Sequence, residues 1–373
     1  MFTNFRLEDL YNQVEAEVKL DMSSACMPAI SLQELAALKP ELENEIVATI
    51  MKTKLGYSSQ YGSEASLQAI RNLYRLDYFT DLRNDIMLTS GASEAIFLVM
   101  STLFEAGDSI IVQQPIYQSL YQVAADRGVK IIDWNLECHC EESGSSTSQS
   151  HWSITKLENL IKANPKCKAL VINNPNNPAG LGFNADDLNQ ISKLLEDRIL
   201  ISDEVFLFIS QSQLPSALEH HHKAIVISDL SKSFNMPGLR LGWILCSKAT
   251  SHELSAMSSF KNYLSLRTNT LSEALTPLVL ELAPELCRRN RELVKNNIDL
   301  IYSQEQEIFD LSQITRDKIE GLCVFPLVKN PELVDHLWHK NKTFLVKGEY
   351  FGHNWSKHLR VGLKKIPELA LYT

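Results

Sequence analysis

Between residues 86 and 246, short apolar runs alternate with amphipathic stretches, and this alternation restricts the fold more than any other feature of the chain. The runs read "DIML", "DSIIVQQ", "KIIDW", "KALVINN", "ILISDE", "AIVISD" and "LGWILC". Between several of them, segments 93–104, 117–127 and 185–195 are amphipathic. Near-continuous apolar runs joined by helices describe parallel strands buried on both faces, with crossover helices. The expected fold class is therefore α/β, with a large domain built on a mostly parallel seven-stranded sheet. The first 45 residues carry helix-like patterns over 7–18 and 32–46. Beyond about 252 the chain is again helical, with apolar runs at "GLCVFPLV", "TFLVKG" and "LRVGL". This predicts a smaller α+β domain. The expected division is an N-terminal arm at 1–45, the large domain at 46–251 and the small domain at 252–373.

Composition removes several classes of partner. The chain has 373 residues, is 45% hydrophobic and 22% charged, and carries a net charge of −9. An acidic molecule without basic blocks attracts neither nucleic acid nor an anionic membrane. No apolar run approaches the roughly 20 residues of a membrane-spanning helix. The N-terminus is mixed and acidic rather than a signal peptide, so a cytoplasmic protein is expected. The seven cysteines are odd in number and follow no framework of spacings, which reads as reduced thiols. The "CHC" at 138–140 and the histidines 220–222 lack partners at ligand spacing, so no metal site is expected. The histidines read as an exposed loop. The low-complexity stretch 137–150 reads as a polar loop.

In open α/β sheets ligands collect at the carboxyl ends of the strands, and five of those ends carry unusual residues. "SDLSKSFNMPGLRLGW" places Lys232 between hydroxyls just after a strand. A lysine amine desolvated there can attack a carbonyl to form a Schiff base. Arg240 follows a Pro-Gly turn and suits a phosphate oxygen pair. "TSGASEA" runs from strand to helix, so the amides of Gly91, Ala92 and Ser93 sit at a helix N-terminus, an anion site. Asp203 ends "ILISDE", where a buried carboxylate needs a cationic partner. "NNPNNPAG" is a proline-locked loop presenting Asn177. Each feature alone has a plainer reading, such as a surface lysine, an ion pair, a cap or a turn; their order along the chain is what gives them weight.

On these segments, from about Tyr57 to Arg360, the chain resembles the class I/II aminotransferase superfamily of fold type I. The resemblance implies pyridoxal 5'-phosphate as cofactor and an amino acid as substrate. It implies that Lys232 holds the cofactor aldehyde, while Arg240, Ser231 and the Gly91–Ala92–Ser93 amides hold its phosphate. It further implies that Asp203 pairs with the ring nitrogen, Asn177 bonds the ring hydroxyl and Tyr117 stacks on the ring. Tyr57, before "SSQYGSEASLQAI", resembles a tyrosine that reaches the neighbouring subunit's phosphate, implying a homodimer. Arg360 in "HLRVGL" resembles the fork for the substrate carboxylate.

Two positions depart from the pattern. Phe206 stands where aminotransferases usually have a tyrosine donating to the ring hydroxyl. Asp229 stands three residues before the lysine, where Ser or Thr is usual; it is expected to point away from the phosphate, or to be replaced there by Ser228. A narrower resemblance, carried by "LEDLYNQVEAEVKLDMSSA", "GASEAIFL", Phe206, "FKNYLSL" and "VKGEYFG", is to cyclases of hydroxylated arginine. That group includes capreomycidine synthase and the L-enduracididine-forming cyclase of guanitoxin biosynthesis. It implies a cyclase or dehydratase acting on β- or γ-hydroxyarginine, with an ordinary aminotransferase and an arginine oxidase as alternatives. Such a substrate needs carboxylates at its guanidinium end. Glu8, Asp9 and Asp21 are the candidates, against the alternative of a solvated acidic helix face.

Overall fold

The structure, a computed structural model, describes residues 2–76, 79, 81–137, 150–303 and 308–364. All seven apolar runs are strands of one sheet. They are β1 (Ile86–Thr89), β2 (Ser109–Gln114), β3 (Lys130–Asn135), β4 (Ala169–Asn173), β5 (Ile199–Asp203), β6 (Ala224–Asp229) and β7 (Gly242–Cys246). Their order across the sheet is β1-β7-β6-β5-β4-β2-β3. The pairs from β6 through β3 are parallel, and β7 runs antiparallel to both β6 and β1. No α-helix lies between β6 and β7, and without a crossover the chain can only turn back on itself.

Alternate residues of these strands enter two apolar clusters, one on each face. Leu170, Ile172, Leu200 and Val226 go to one, and Val171, Ile201, Ile225 and Ile227 to the other. The period-2 geometry of a strand requires this division, and burial of both faces explains why the runs are continuous rather than alternating.

The N-terminal pattern is broken where the sequence reading had continued it. Helix α1 spans Arg6–Val14. The pattern at 32–46 is a helix over Leu32–Ala37, a single turn at Pro40–Leu42 and a new helix over Glu43–Lys52. Pro40 causes the interruption, since it lacks an amide proton and clashes with the preceding turn. The boundary expected at 45–46 falls inside the last of these helices. Leu20–Asp21 then pairs in parallel with Thr343–Phe344. A small antiparallel sheet follows from β8 (Cys323–Val324), β9 (Val346–Lys347) and β10 (Leu359–Gly362), with β10 in the middle. No helix among the described residues is long and apolar enough to cross a membrane. The "CHC" motif and nearly all of the 137–150 loop lie outside the described residues.

Candidate active site

The carboxyl ends of β4, β5 and β6 meet the small sheet and α1 around a cavity of about 610 Å³. Its walls include Lys232, Asp203, Asn177, Tyr117, Ser231, Arg240 and Arg360, together with Ala92 and Ser93. Residues far apart in sequence converge because the parallel strands end at one level: Asn173 of β4 lies in register with Asp203 of β5.

Asp203 is buried and its Oδ1 accepts the Val205 amide at 3.2 Å. Burial pushes its carboxyl up to about 7, with the nearby Asp229 charge adding to the effect and the Val205 amide and Lys232 opposing it. Such a carboxyl pairs well with a ligand cation. Lys232 Nζ lies 2.6 Å from the sulfur of Cys26. Burial pulls the lysine's pKa down, but Cys26 and Asp229 outweigh burial and leave it raised. The Tyr117 hydroxyl donates to Glu8 Oε1 at 2.6 Å, and burial together with that carboxylate raises its pKa well above the ordinary value.

Helix α2 (Ala92–Thr102) starts directly after Gly91, whose φ of 82° favours glycine. Arg240 donates to the carbonyls of Ser90 and Pro237 at 3.2 Å each, which brings its guanidinium against this turn. Asp229, expected to point away, points in: its Oδ2 accepts the Ala92 amide at 3.2 Å and the Ser231 hydroxyl at 2.7 Å. Ser228, the expected substitute, donates to the Glu204 carbonyl instead. The reason is that Ala92 and Ser231 supply converging donors and a carboxylate accepts more of them than a hydroxyl does.

Arg360 is buried, donating through Nη1 to Asn177 Oδ1 at 3.2 Å and through Nη2 to the Tyr11 hydroxyl at 2.6 Å. Its Nε is buried without a partner. A ligand carboxylate would satisfy a donor left in that state. From α1 and Glu15, the helical-backbone residue that caps it, the cavity takes Leu7, Glu8, Tyr11, Asn12 and Glu15, a helical i, i+3, i+4 face. Asp9, a candidate from the sequence, is not among the lining residues, because one residue further along a helix turns about 100° away from Glu8. Asp21 lines the cavity, but its Oδ1 accepts the Ser23 and Ser24 amides at 2.8 and 3.0 Å. Tyr57 is 85% exposed and does not line the cavity.

Cys26, Tyr11 and Glu15 were missed in the sequence. Glu15 could have been found from its spacing to Glu8; Cys26 carries no local signal. The histidines are not all exposed either: His221 is buried, bonded to Ser192 Oγ and the Arg198 carbonyl at 2.9 and 2.8 Å.

Residues 21–369 match the family model for aminotransferase class I and II. The chain belongs to this family. Members of the aminotransferase class I and II family use pyridoxal 5'-phosphate, and this chain is a pyridoxal-phosphate-dependent enzyme of fold type I. It is 26% identical over 319 residues to a probable aspartate aminotransferase of Methanocaldococcus jannaschii, covering 82% of this chain and 80% of that one. A pyridoxal-phosphate-dependent aminotransferase from Streptococcus suis superposes with a TM-score of 0.85 at 24% identity, over 100% of this chain and 95% of the other. The pyridoxal-phosphate-dependent cyclase OrfR superposes with a TM-score of 0.82 at 22% identity, over 99% of this chain and 94% of its own. Other curated aspartate aminotransferases match over about half of their length.

The residues present fit the family's cofactor. An amine, a buried carboxyl, an aromatic face and a glycine-lined anion cup share one cavity. A Cβ at Gly91 would lie 2.7 Å from Arg240 Nη2, so the guanidinium keeps this position against the turn only beside glycine. Gly91→Ala is expected to cost about 1–3 kcal/mol from its left-handed backbone. It should also push the Arg240 side chain aside. Urea unfolding reads the first effect, and weakened binding of pyridoxal phosphate, followed by fluorescence, reads the second. Unchanged affinity would remove Arg240 from the cup.

Proposed function

We propose that the protein converts a hydroxylated L-arginine, carrying the hydroxyl at Cβ or Cγ, into a cyclic guanidino amino acid of the capreomycidine or L-enduracididine type. The observation that carries this reading is the distribution of charge along the cavity. Two cations, Lys232 and Arg360, and three carboxylates, Glu8, Glu15 and Asp21, line the same space. An amino acid with a carboxylate at one end and a guanidinium at the other matches that arrangement. Phe206, buried against the cavity where a tyrosine is usual in aminotransferases, supports a departure from ordinary amino-group exchange. A structural neighbour named a pyridoxal-phosphate-dependent cyclase agrees with this reading.

When bound, pyridoxal phosphate supplies an electron sink for charge developing at the substrate Cα. The chain supplies the rest. Arg360 holds the substrate carboxylate, and Asn177 fixes the guanidinium of Arg360. Asp203 would pair with the cofactor's ring nitrogen, and Tyr117 would stack on its ring. Lys232 removes the proton from Cα. The ammonium so formed then carries a proton toward the departing hydroxyl, which leaves as water. For a Cγ hydroxyl a Cβ proton must be removed first. Glu8 and Glu15 hold the guanidinium until one of its nitrogens adds to the carbon chain, at Cγ for a five-membered ring or at Cβ for a six-membered one; the adding nitrogen gives up its N–H proton to Lys232, which returns a proton to Cα, and any proton taken from Cβ is likewise returned, so that water alone is lost. Helix α1 roofs the cavity and limits water, so the amino group stays on the substrate. We take the active form to be a homodimer, with Tyr57 reaching the partner's phosphate site.

An aminotransferase is the second reading, favoured by the names of the curated relatives. Incubating the holoprotein with arginine, β-hydroxyarginine and γ-hydroxyarginine separates the two. The expected product is one hydroxyarginine minus water with every nitrogen retained, seen by mass analysis. A keto acid formed only with an added amino acceptor overturns the cyclase in favour of transamination, and oxygen consumption with arginine overturns it in favour of an oxidase.

A further inference from the structure

The anion cup already contains an anion. Asp229 ends β6, is 4% exposed and lines the cavity. Its Oδ2 takes the Ala92 amide and the Ser231 hydroxyl at 3.2 and 2.7 Å, and its Oδ1 takes the Ser231 amide at 2.8 Å. These are the helix-start and serine donors that a phosphate in this cup needs. A serine or threonine at 229 would leave most of them open; a carboxylate occupies them.

We propose that Asp229 is the resident anion of the cup, and that the cofactor phosphate binds by sharing a proton with it, the Asp229 carboxyl becoming a donor to a phosphate oxygen. The proposal rests on the reading that this cavity takes pyridoxal phosphate. The charges facing the cup leave little room for another solution. Lys232 and Arg240 are its cations. Asp203 faces Asp229 from β5, and Glu94 on α2 takes the Ser90 amide at 2.6 Å beside the same turn. Lys261 lies near Glu94 and the Asp203 carboxyl is held at about 7, so the balance rests on Lys232 and Arg240 against Asp229 and a phosphate of about −1.5 to −2; with Asp229 ionised the anions there outweigh the cations. Two contacting anions in a buried site retain one proton between them. That proton comes from solvent, and cofactor affinity therefore falls as pH rises.

The test is calorimetric titration of the full-length, cofactor-free chain with inorganic phosphate and, separately, with pyridoxal phosphate. It is run in two buffers of different ionisation enthalpy, on the wild type, Asp229→Asn and Asp229→Ser. Circular dichroism establishes which variants fold; the small serine serves if asparagine does not. At pH 8 the wild type is expected to take up one proton more per ligand than either variant. Above neutrality its affinity should weaken by up to about tenfold per pH unit relative to theirs. The phosphate's own ionisation is common to all three and cancels; Lys232, whose pKa Asp229 helps to raise, is removed as a variable by repeating the phosphate titrations in a Lys232→Ala background. Equal proton counts, or variants that bind phosphate no more tightly at pH 8, overturn the proposal. If phosphate responds as expected but pyridoxal phosphate does not bind, Asp229 keeps its role and the cofactor reading of the cavity falls.

Discussion

Lys232→Ala is expected to lower turnover by at least about 10²–10⁴-fold, the share contributed by a positioned acid–base group. It should also stop borohydride from fixing pyridoxal phosphate to the chain. Both effects follow from one nitrogen. Lys232 is the lysine that lines the cavity, facing Asp203 across it and Arg360 beside it. Alanine removes the nitrogen proposed as both attachment point and base, while Arg240 and the cup around Asp229 remain to receive phosphate. The variant should therefore still bind the cofactor, released intact on denaturation. A built-in control is Lys261, which is 1% exposed and whose pKa burial lowers, with Glu94 and Glu273 pulling the other way. It is a desolvated lysine by chemistry, yet it does not line the cavity. Peptide mapping after borohydride treatment should find the label at 232 in the wild type. A label at 261, or full activity in Lys232→Ala, would sink the assignment.

The sheet was legible in the sequence because both of its faces are buried. A strand such as β6, with every residue from Ala224 to Asp229 buried, leaves an apolar run that no surface helix imitates. The strand-end residues were legible for a related reason: Asp203, Asn177 and Lys232 interrupt apolar runs where packing alone would not place them. What remained hidden depended on distance through space. Cys26 touches Lys232 across 206 positions of sequence, and no local pattern encodes that meeting. Asp229 was noticed, but its direction was misjudged. Charge repulsion from an absent phosphate argued for one orientation, whereas the donors of Ala92 and Ser231 enforce the other. The acidic face of α1 was half legible. Helical spacing groups Glu8 with Glu15 and excludes Asp9, but only the docking of α1, through Tyr11 on Arg360 and Glu8 on Tyr117, shows that this face covers the cavity.

Asp203→Asn is expected to make the apoprotein more stable than the wild type at alkaline pH and the cofactor-loaded protein less stable. In the folded chain burial holds the Asp203 carboxyl at about 7, whereas in the unfolded chain it titrates near the ordinary value of about 4. Between those values the folded state binds more protons, so the contribution of this group to stability falls as pH rises through the window. The linkage is worth about 4 kcal/mol at full extent. Glu204, pushed by burial up to about 8, changes in the same direction, so the informative quantity is the difference between wild type and variant. Asparagine carries no charge and keeps an acceptor for the Val205 amide. Without cofactor, the wild type should lose more thermal stability from pH 5 to pH 8 than Asp203→Asn does, and the variant should overtake it at the alkaline end. With pyridoxal phosphate the order should reverse, because a cationic ring nitrogen beside an ionised Asp203 removes the penalty and asparagine offers no charge to pair. Melting curves of both proteins, with and without cofactor, at four or five pH values check this. Parallel apoprotein curves would mean that Asp203 is not held protonated by its burial, and equal stabilisation of the two proteins by cofactor at pH 8 would mean that its carboxylate does not face the ring nitrogen.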